Sequence, residues 1–330
     1  MAPEIVVIIP TKNRAAAIEK YALPSLARSV YRDFVCVVWD ASDDELTKDI
    51  TEKESWNFDA FWFRAPRIGS SSQRNDALLY ALDKWPDARF AVFMDDDAEF
   101  SPDALDGVTR TFAERGATIV NIPQKPIYSP SLHSRLMNGL KRALGMNRHG
   151  VTSFLYNYGG SDEARGGDME WASGGGMGVD VNVFRKMGVF FPEEFQRFGG
   201  YALGEDLAFS LFIRKKMRGS IVNALNGHFL HYAAGNARLD VENMAASKWY
   251  NFHLLFGAIY GDAKGLKRPC LVLAFKSFMY AAVLKLLFRA RSLDIAGAAR
   301  GVRKANDEVA RYRARGDNGG LFRADSRRGR

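Results

Sequence analysis

The stretch that most constrains this chain is Phe90-Ala-Val-Phe-Met-Asp-Asp-Asp97, where an apolar run stops abruptly at three carboxylates. Apolar residues with no polar partner at helical spacing predict a strand buried on both faces, as in a parallel sheet covered by helices. In open α/β sheets ligands bind outside the carboxyl ends of the strands, so the acids stand where a site is expected. If the backbone stays extended, Asp95 and Asp97 point to the same side. Two hard oxygen ligands there suit Mg²⁺ or Mn²⁺, which take waters and phosphate oxygens as further ligands. A solvated acidic turn is the other reading.

Two earlier runs share this design. Glu4-Ile-Val-Val-Ile-Ile-Pro10 is followed by the turn Thr11-Lys-Asn-Arg14, and Phe34-Val-Cys-Val-Val-Trp-Asp40 by Ala41-Ser-Asp-Asp44. Between and after them come helical spacing over Ala15 to Val30, with Pro24 a local irregularity, and a short strand near Phe61 to Arg64. A polar loop, Gly69 to Asn75, leads into a helix from Asp76 to Leu82, and Ser101-Pro102-Asp103 opens another that runs to about Arg115. This βαβ series predicts an α/β fold with a doubly wound, mostly parallel sheet and helices on both faces. After a strand at Thr118 to Ile122, Pro123 to Gly167 reads as a long insertion over the site, holding His133 and His149. The glycine-dense Trp171 to Gly178 allows either close backbone approach to a ligand or a tight turn. A short helix is expected at Val183 to Met187. Gly204-Glu-Asp206 precedes an apolar-periodic helix from Leu207 to Met217, and Ile221 to Leu225 with His228 to His231 is expected to form a hairpin or strand pair.

Of 330 residues, 47% are hydrophobic and 12% aromatic, enough for a sizeable core. The net charge of +8 is unevenly spread: residues 289–330 hold 12 Lys and Arg against 5 Asp and Glu, leaving a nearly neutral body. That distribution argues against a nucleic-acid-binding core and suits contact with an anionic lipid surface, a solvated tail being the alternative. Leu271 to Leu287 is apolar but interrupted by Lys276 and Lys285, too broken to span a bilayer. It is expected either to lie in the membrane interface or to pack as a helix on the body or a second copy. Cys36 and Cys270 suggest neither a disulfide framework nor a zinc site. The N-terminus shows no secretory pattern, so the expected location is cytoplasmic, peripheral on the inner face of the membrane if the basic end docks there.

Taken in order, these motifs resemble the inverting family 2 glycosyltransferases of the GT-A fold, from about Ile5 to about His231. Val7 to Arg14 resembles that family's opening strand and turn, Val37 to Asp44 its second strand, and Gly69 with Gln73-Arg74-Asn75 its glycine and Ala-Arg-Asn loop. Asp95-Asp96-Asp97 resembles its Asp-x-Asp element, Ser173 to Gly176 with Phe191 to Phe195 its acceptor segment, and Gly204-Glu205-Asp206 its Glu-Asp element. Trp39 and Gln73 depart from the pattern, and the absence of Gln-x-x-Arg-Trp points away from the processive synthases.

The resemblance implies a GT-A catalytic domain over residues 1–240, with a nucleotide-sugar half to 117 and an acceptor half from 118. A helical extension over 241–300 and a basic, disordered tail over 301–330 would follow. It also implies that Pro10, Thr11, Arg14, Asp40, Gly69, Arg74, Asn75, Asp95 and Asp96 hold a nucleoside diphosphate sugar. Asp95 and Asp97, with His231, would hold Mn²⁺ or Mg²⁺. Asp206, with Glu205 as the next candidate, would be the base that activates a hydroxyl of a glycan or lipid-linked acceptor, in surface or extracellular polysaccharide synthesis. Helix capping is the alternative role for Glu205 and Asp206. A sugar-nucleotide pyrophosphorylase would share the sheet and cation, but its glycine-rich phosphate loop has no counterpart at Pro10 to Arg14. A non-catalytic glycan-binding scaffold on the same fold is the third possibility.

Overall fold

The computed structural model describes residues 2–53, 56–127, 150–151, 157–158, 165–199, 202–232, 240–260, 295–315 and 320–323. The apolar segment 271–287, most of the insertion with His133 and His149, and all but a few residues beyond 315 lie outside the described residues.

Strand β1 (Ile5–Thr11) is flanked by β2 (Phe34–Asp40) and β4 (Phe90–Met94), both parallel to it, and β3 (Asp59–Arg64) extends the sheet beyond β2. Alternation sends Val6 and Ile8 into one core layer and Ile5, Val7 and Ile9 into the other, so one run of residues serves both faces. The continuous apolar runs follow from this two-sided burial. The sheet has seven strands in the order β11-β6-β10-β4-β1-β2-β3, with β6 at Ile119–Asn121, β10 at Gly176–Asp180 and β11 at Ile221–Asn223. Only β10 runs against its neighbours, wedged between β4 and β6, so the two expected halves share one sheet.

A second sheet of three strands, β5-β12-β7, stands beside the acidic turn. It contains β5 (Ala98–Phe100), β7 (Gln124–Lys125) and β12 (Phe229–His231). The expected pairing of Ile221 to Leu225 with His228 to His231 is therefore corrected: β11 completes the large sheet beside β6, whereas β12 crosses to pair antiparallel with β5. Gly227, at φ +84°, makes that crossing tight, since a Cβ there would lie 2.5 Å from the Cα of Ala104. Two short strands, β8 (Gly150–Val151) and β9 (Asn157–Tyr158), pair with each other.

The helices hold further differences. Residues 15–27 are helical, as α1 (Ala15–Ala17), a π turn (Ile18–Ala22) and α2 (Leu23–Ala27). The widened turn sits where Pro24 lacks an amide hydrogen and crowds the carbonyl four residues back. After α3 (Leu46–Thr51), α4 spans Ser70–Lys84, so the expected polar loop up to Asn75 is instead the buried first turns of this helix. Its serines begin the helix by local bonding: Ser72 Oγ donates to the Gly69 carbonyl at 3.1 Å. Helix α5 (Ala104–Arg115) starts after Asp103, later than expected, because Ser101 and Asp103 bond one another in the preceding turn. Downstream come α6 (Asn182–Arg185), α7 (Glu205–Lys216), α8 (Val241–Tyr260) and α9 (Ile295–Ala314). The tail expected from residue 301 is thus helical as far as Ala314. Ala305, Val309 and Tyr312 are buried, and Phe322 stacks on Phe212 at 4.2 Å. Arginine-rich composition concealed this narrow apolar face.

Gly227→Ala should lower unfolding stability by roughly 2–5 kcal/mol, combining a left-handed backbone with overpacking against Ala104. Urea denaturation with an unchanged slope would check this; a loss below about 0.5 kcal/mol would show that the β11–β12 crossing relaxes freely.

Candidate active site

The carboxyl ends of β1, β2 and β4 bring Thr11, Asp40 and the acid triplet to one edge of the sheet. The three acids have different partners. Asp96 is buried and turned inward, where Thr11 Oγ1 donates to it at 2.8 Å and Arg14 approaches at 2.8 Å. Burial pushes its carboxyl up to about 7, against the pull of Arg14. Asp95 and Asp97 each give one oxygen to an arginine: Asp95 Oδ1 accepts from Arg74 at 3.0 Å and Asp97 Oδ2 from Arg14 at 2.5 Å. Their other oxygens face His231, whose Nε2 lies 2.9 Å from Asp97 Oδ1 and 3.8 Å from Asp95 Oδ2. These three side chains form a group able to hold a metal ion, with ligand atoms all within 4.8 Å of one another. The hydrogen bond to Asp97 raises the His231 pKa. His231 comes within reach because β12 pairs with β5, setting His231 opposite Ala98, while His228 lies back toward Ser101, its pKa lowered by burial.

Arg74 joins this edge to the other half of the molecule. Its side chain, 4% exposed, donates to Glu205 Oε1 at 2.5 Å as well as to Asp95, and its guanidinium lies 5.5 Å from the Phe191 ring. The glycine run explains the closeness of packing. A Cβ at Gly174 would lie 3.1 Å from Arg74 and one at Gly175 would lie 2.8 Å from Asp95 Oδ2. The run makes the expected tight turn, the Gly176 amide donating to the Ser173 carbonyl at 3.1 Å, and it lets the site's own side chains approach closely.

Glu205 and Asp206 open α7. Asp206 accepts the amide of Gly174, in the glycine run, at 3.1 Å and that of Leu207, the next residue of α7, at 2.7 Å, while the residue at the capping position, Gly204, has no side chain to bond the helix start. Burial nevertheless raises its pKa above the ordinary aspartate value, outweighing both amides and Arg74. Glu205 is pushed up to about 7 by burial, against the lowering effect of Arg74. Of the two, Asp206 is the one whose carboxylate is not tied to the arginine.

Other expected site residues have partners within the fold. Asp40 is fully buried, accepting the Ser42 amide at 2.8 Å and the Trp62 indole at 3.0 Å, with Arg64 at 3.9 Å. Asn75 brackets the chain at Phe191, donating to its carbonyl at 2.9 Å and accepting its amide at 3.1 Å. Pro10 is half-buried in β1 opposite Trp39, and Gly69 precedes α4 with its amide donating to Gln73. Gln73, read only as a departure from alanine, donates to the carbonyls of Thr11 at 2.8 Å and Trp39 at 3.0 Å, clamping the ends of β1 and β2 together. A buried amide beside two strand ends carries no sequence signal beyond its failure to match.

Arg74→Met should cost roughly 3–5 kcal/mol by leaving Glu205 buried without its cation, and Arg74→Met with Glu205→Met should recover most of that. The folded pKa of Glu205, about 7, lies above its ordinary 4.5, so its contribution to stability is full below 4.5 and fades as pH rises through 7. Removing Arg74 raises that pKa further, so the loss should be larger at pH 8 than at pH 5. Denaturant unfolding at the two pH values decides; an equal loss at both would remove Glu205 from the account.

Residues 6–164 match the family model described as Glycosyl transferase family 2. Among solved structures, the mannosyltransferase PcManGT from Pyrobaculum calidifontis, in complex with GDP-Man and Mn²⁺, is similar at a TM-score of 0.54 and 17% identity, covering 98% of this chain and 81% of that one. S. aureus TarS 1–349, in complex with UDP-GlcNAc, is similar at a TM-score of 0.51 and 14% identity, covering 94% and 92%. No curated protein matches the chain significantly. Residues 6–164 thus match the glycosyltransferase family 2 model, and the sheet described above is that of the GT-A fold.

Proposed function

We propose that the protein is a non-processive, inverting glycosyltransferase that moves a sugar from a nucleoside diphosphate sugar to a hydroxyl of a glycan or lipid-linked acceptor. The observation that carries this reading is the division of labour within the acid triplet. Asp95 and Asp97 each give one oxygen to an arginine and turn the other toward His231. Two carboxylate oxygens and an imidazole nitrogen are a donor set that fits Mn²⁺ or Mg²⁺. Such a cation would supply charge neutralisation for the departing diphosphate. The nucleotide sugar of both solved relatives and the Mn²⁺ of PcManGT support the same reading. The family match favours transfer over the pyrophosphorylase and scaffold alternatives.

Asp206 then takes the proton from the acceptor hydroxyl as its oxygen attacks the anomeric carbon on the face opposite the diphosphate. A single displacement inverts that centre. Burial favours this role by raising the proton affinity of the carboxylate, and the Gly174 and Leu207 amides hold it in one orientation. Arg74 keeps Glu205 and Asp95 in register with it.

Asp206→Asn should leave donor affinity nearly intact while turnover falls by a factor on the order of 10² to 10⁴. Asn also caps helices well, so a capping role alone would leave turnover near normal. Asp97→Ala should do the reverse in binding, abolishing the cation-dependent part of nucleoside diphosphate affinity. Turnover of Asp206→Asn and calorimetry of both variants separate the outcomes: near-normal turnover in the first moves the base elsewhere, and unchanged cation dependence in the second removes the cation site.

The proposal includes peripheral contact with anionic lipid and an acceptor used in surface or extracellular polysaccharide synthesis. The support is α9, which exposes Arg300, Arg303, Lys304, Arg311 and Arg313, with Arg315 just beyond its end, against one exposed acid, Asp307. Among the described residues no helix is long and apolar enough to cross a membrane. Co-sedimentation with anionic liposomes should weaken steeply as salt rises from 50 to about 500 mM, because the attraction is screened. Absence of binding at any salt would remove the lipid contact.

A further inference from the structure

His231 stands at the end of a strand only three residues long, so the ladder alone does little to fix its ring. The next residue supplies what the strand lacks. Tyr232 donates its amide to the Asp97 carbonyl at 3.0 Å, adding one more rung beside the acidic turn. Its hydroxyl donates to Glu99 Oε2 at 2.7 Å, and Arg28 holds the other Glu99 oxygen at 2.7 Å. Its ring stacks on Tyr21 at 4.0 Å between centroids and 11° between planes. Tyr21 belongs to the π turn Ile18–Ala22, and Glu99 to β5, so the chain leaving His231 is gripped from two elements at once.

We propose that Tyr232, stacked on Tyr21 and bonded to Glu99, is a positioning residue that fixes His231 against Asp97 for cation binding. The inference rests on the cation reading of Asp95, Asp97 and His231. Tyr232 itself need touch neither cation nor substrate. A ligand held in its binding rotamer before the ion arrives loses less freedom on binding, and residues that orient metal ligands typically change affinity by about 10- to 100-fold.

The test is titration of Mn²⁺ alone into the full chain, with free ion read by electron paramagnetic resonance, alongside the melting temperature without cation. Wild type, His231→Ala, Tyr232→Leu, Tyr232→Phe and Tyr21→Leu are compared. Tyr232→Leu and Tyr21→Leu should weaken Mn²⁺ binding by about 10-fold or more. Tyr232→Phe, which keeps the ring and loses the Glu99 bond, should fall between them and wild type. The cation-free melting temperature should not track this order, whereas a merely structural role would lower it and leave affinity unchanged in any variant that folds. Wild-type affinity in Tyr232→Leu overturns the proposal while leaving the cation site standing. If that variant does not fold, wild-type affinity in both Tyr232→Phe and Tyr21→Leu overturns it equally. Wild-type affinity in His231→Ala would instead sink the cation reading, and this inference with it.

Discussion

Much of this site hangs on one buried cation. Arg74 cannot escape burial by giving up its proton, so its guanidinium must be surrounded by groups that replace water. Asp95 from the end of β4, Glu205 from the start of α7 and the face of Phe191 provide that surround. Each comes from a different part of the chain. The glycine run permits the approach, because any side chain at Gly174 or Gly175 would occupy the space taken by Arg74 or Asp95. An ion pair of this kind adds little net stability over an apolar core, yet it tolerates few arrangements. Geometry is what it contributes: the carboxylates of the cation site and those of α7 are held in a fixed relation by a single side chain.

The two ends of that relation balance buried charge with different partners. At the acidic turn, burial first and the neighbouring carboxylates second raise the proton affinity of Asp96, which is turned inward to meet Thr11 and Arg14. This leaves Asp95 and the buried Asp97 with one oxygen each toward His231 and the other on an arginine. At α7, burial raises the proton affinity of Asp206 while two amides steady its ionised form. A base needs both tendencies, since it must be charged before reaction and hold a proton after it.

What could be read from sequence was whatever the backbone period imposes. The buried strands and the position of the acids followed from apolar runs that end in polar residues, and the order of motifs along the chain carried the family. What escaped were features set by tertiary partners. Ser70 to Asn75 looked like a loop because serine and asparagine favour turns in isolation, yet burial against the sheet makes them helix. The partners of Asp40, Trp62 and Arg64, lie on the neighbouring strand, where the β2–β3 register sets Arg64 opposite Asp40 and Trp62 two residues earlier. Gln73 was a mismatch until the carbonyls of Thr11 and Trp39 were seen beside it. The split of β11 and β12 between two sheets is likewise invisible to local patterning, because either strand could have paired with the other.

The insertion of β10 between β4 and β6 has a bearing on how the molecule forms. Strands β1 to β3 can pair as they are made, each beside the one before it, and β4 then joins the free edge of β1. β4 must then keep one edge open until everything from β5 to β9 has been synthesised and β10 arrives to close it. Pairings across so long a loop form late, since chain entropy opposes them until the contacts on either side are ready. The edge left waiting belongs to the strand that ends in Asp95. A nascent or partly unfolded chain would therefore offer an apolar strand edge with acids at its tip, open to pairing with another copy, and the same step that closes that edge sets the glycine run against Arg74. Protection from aggregation and completion of the site are one event in this fold.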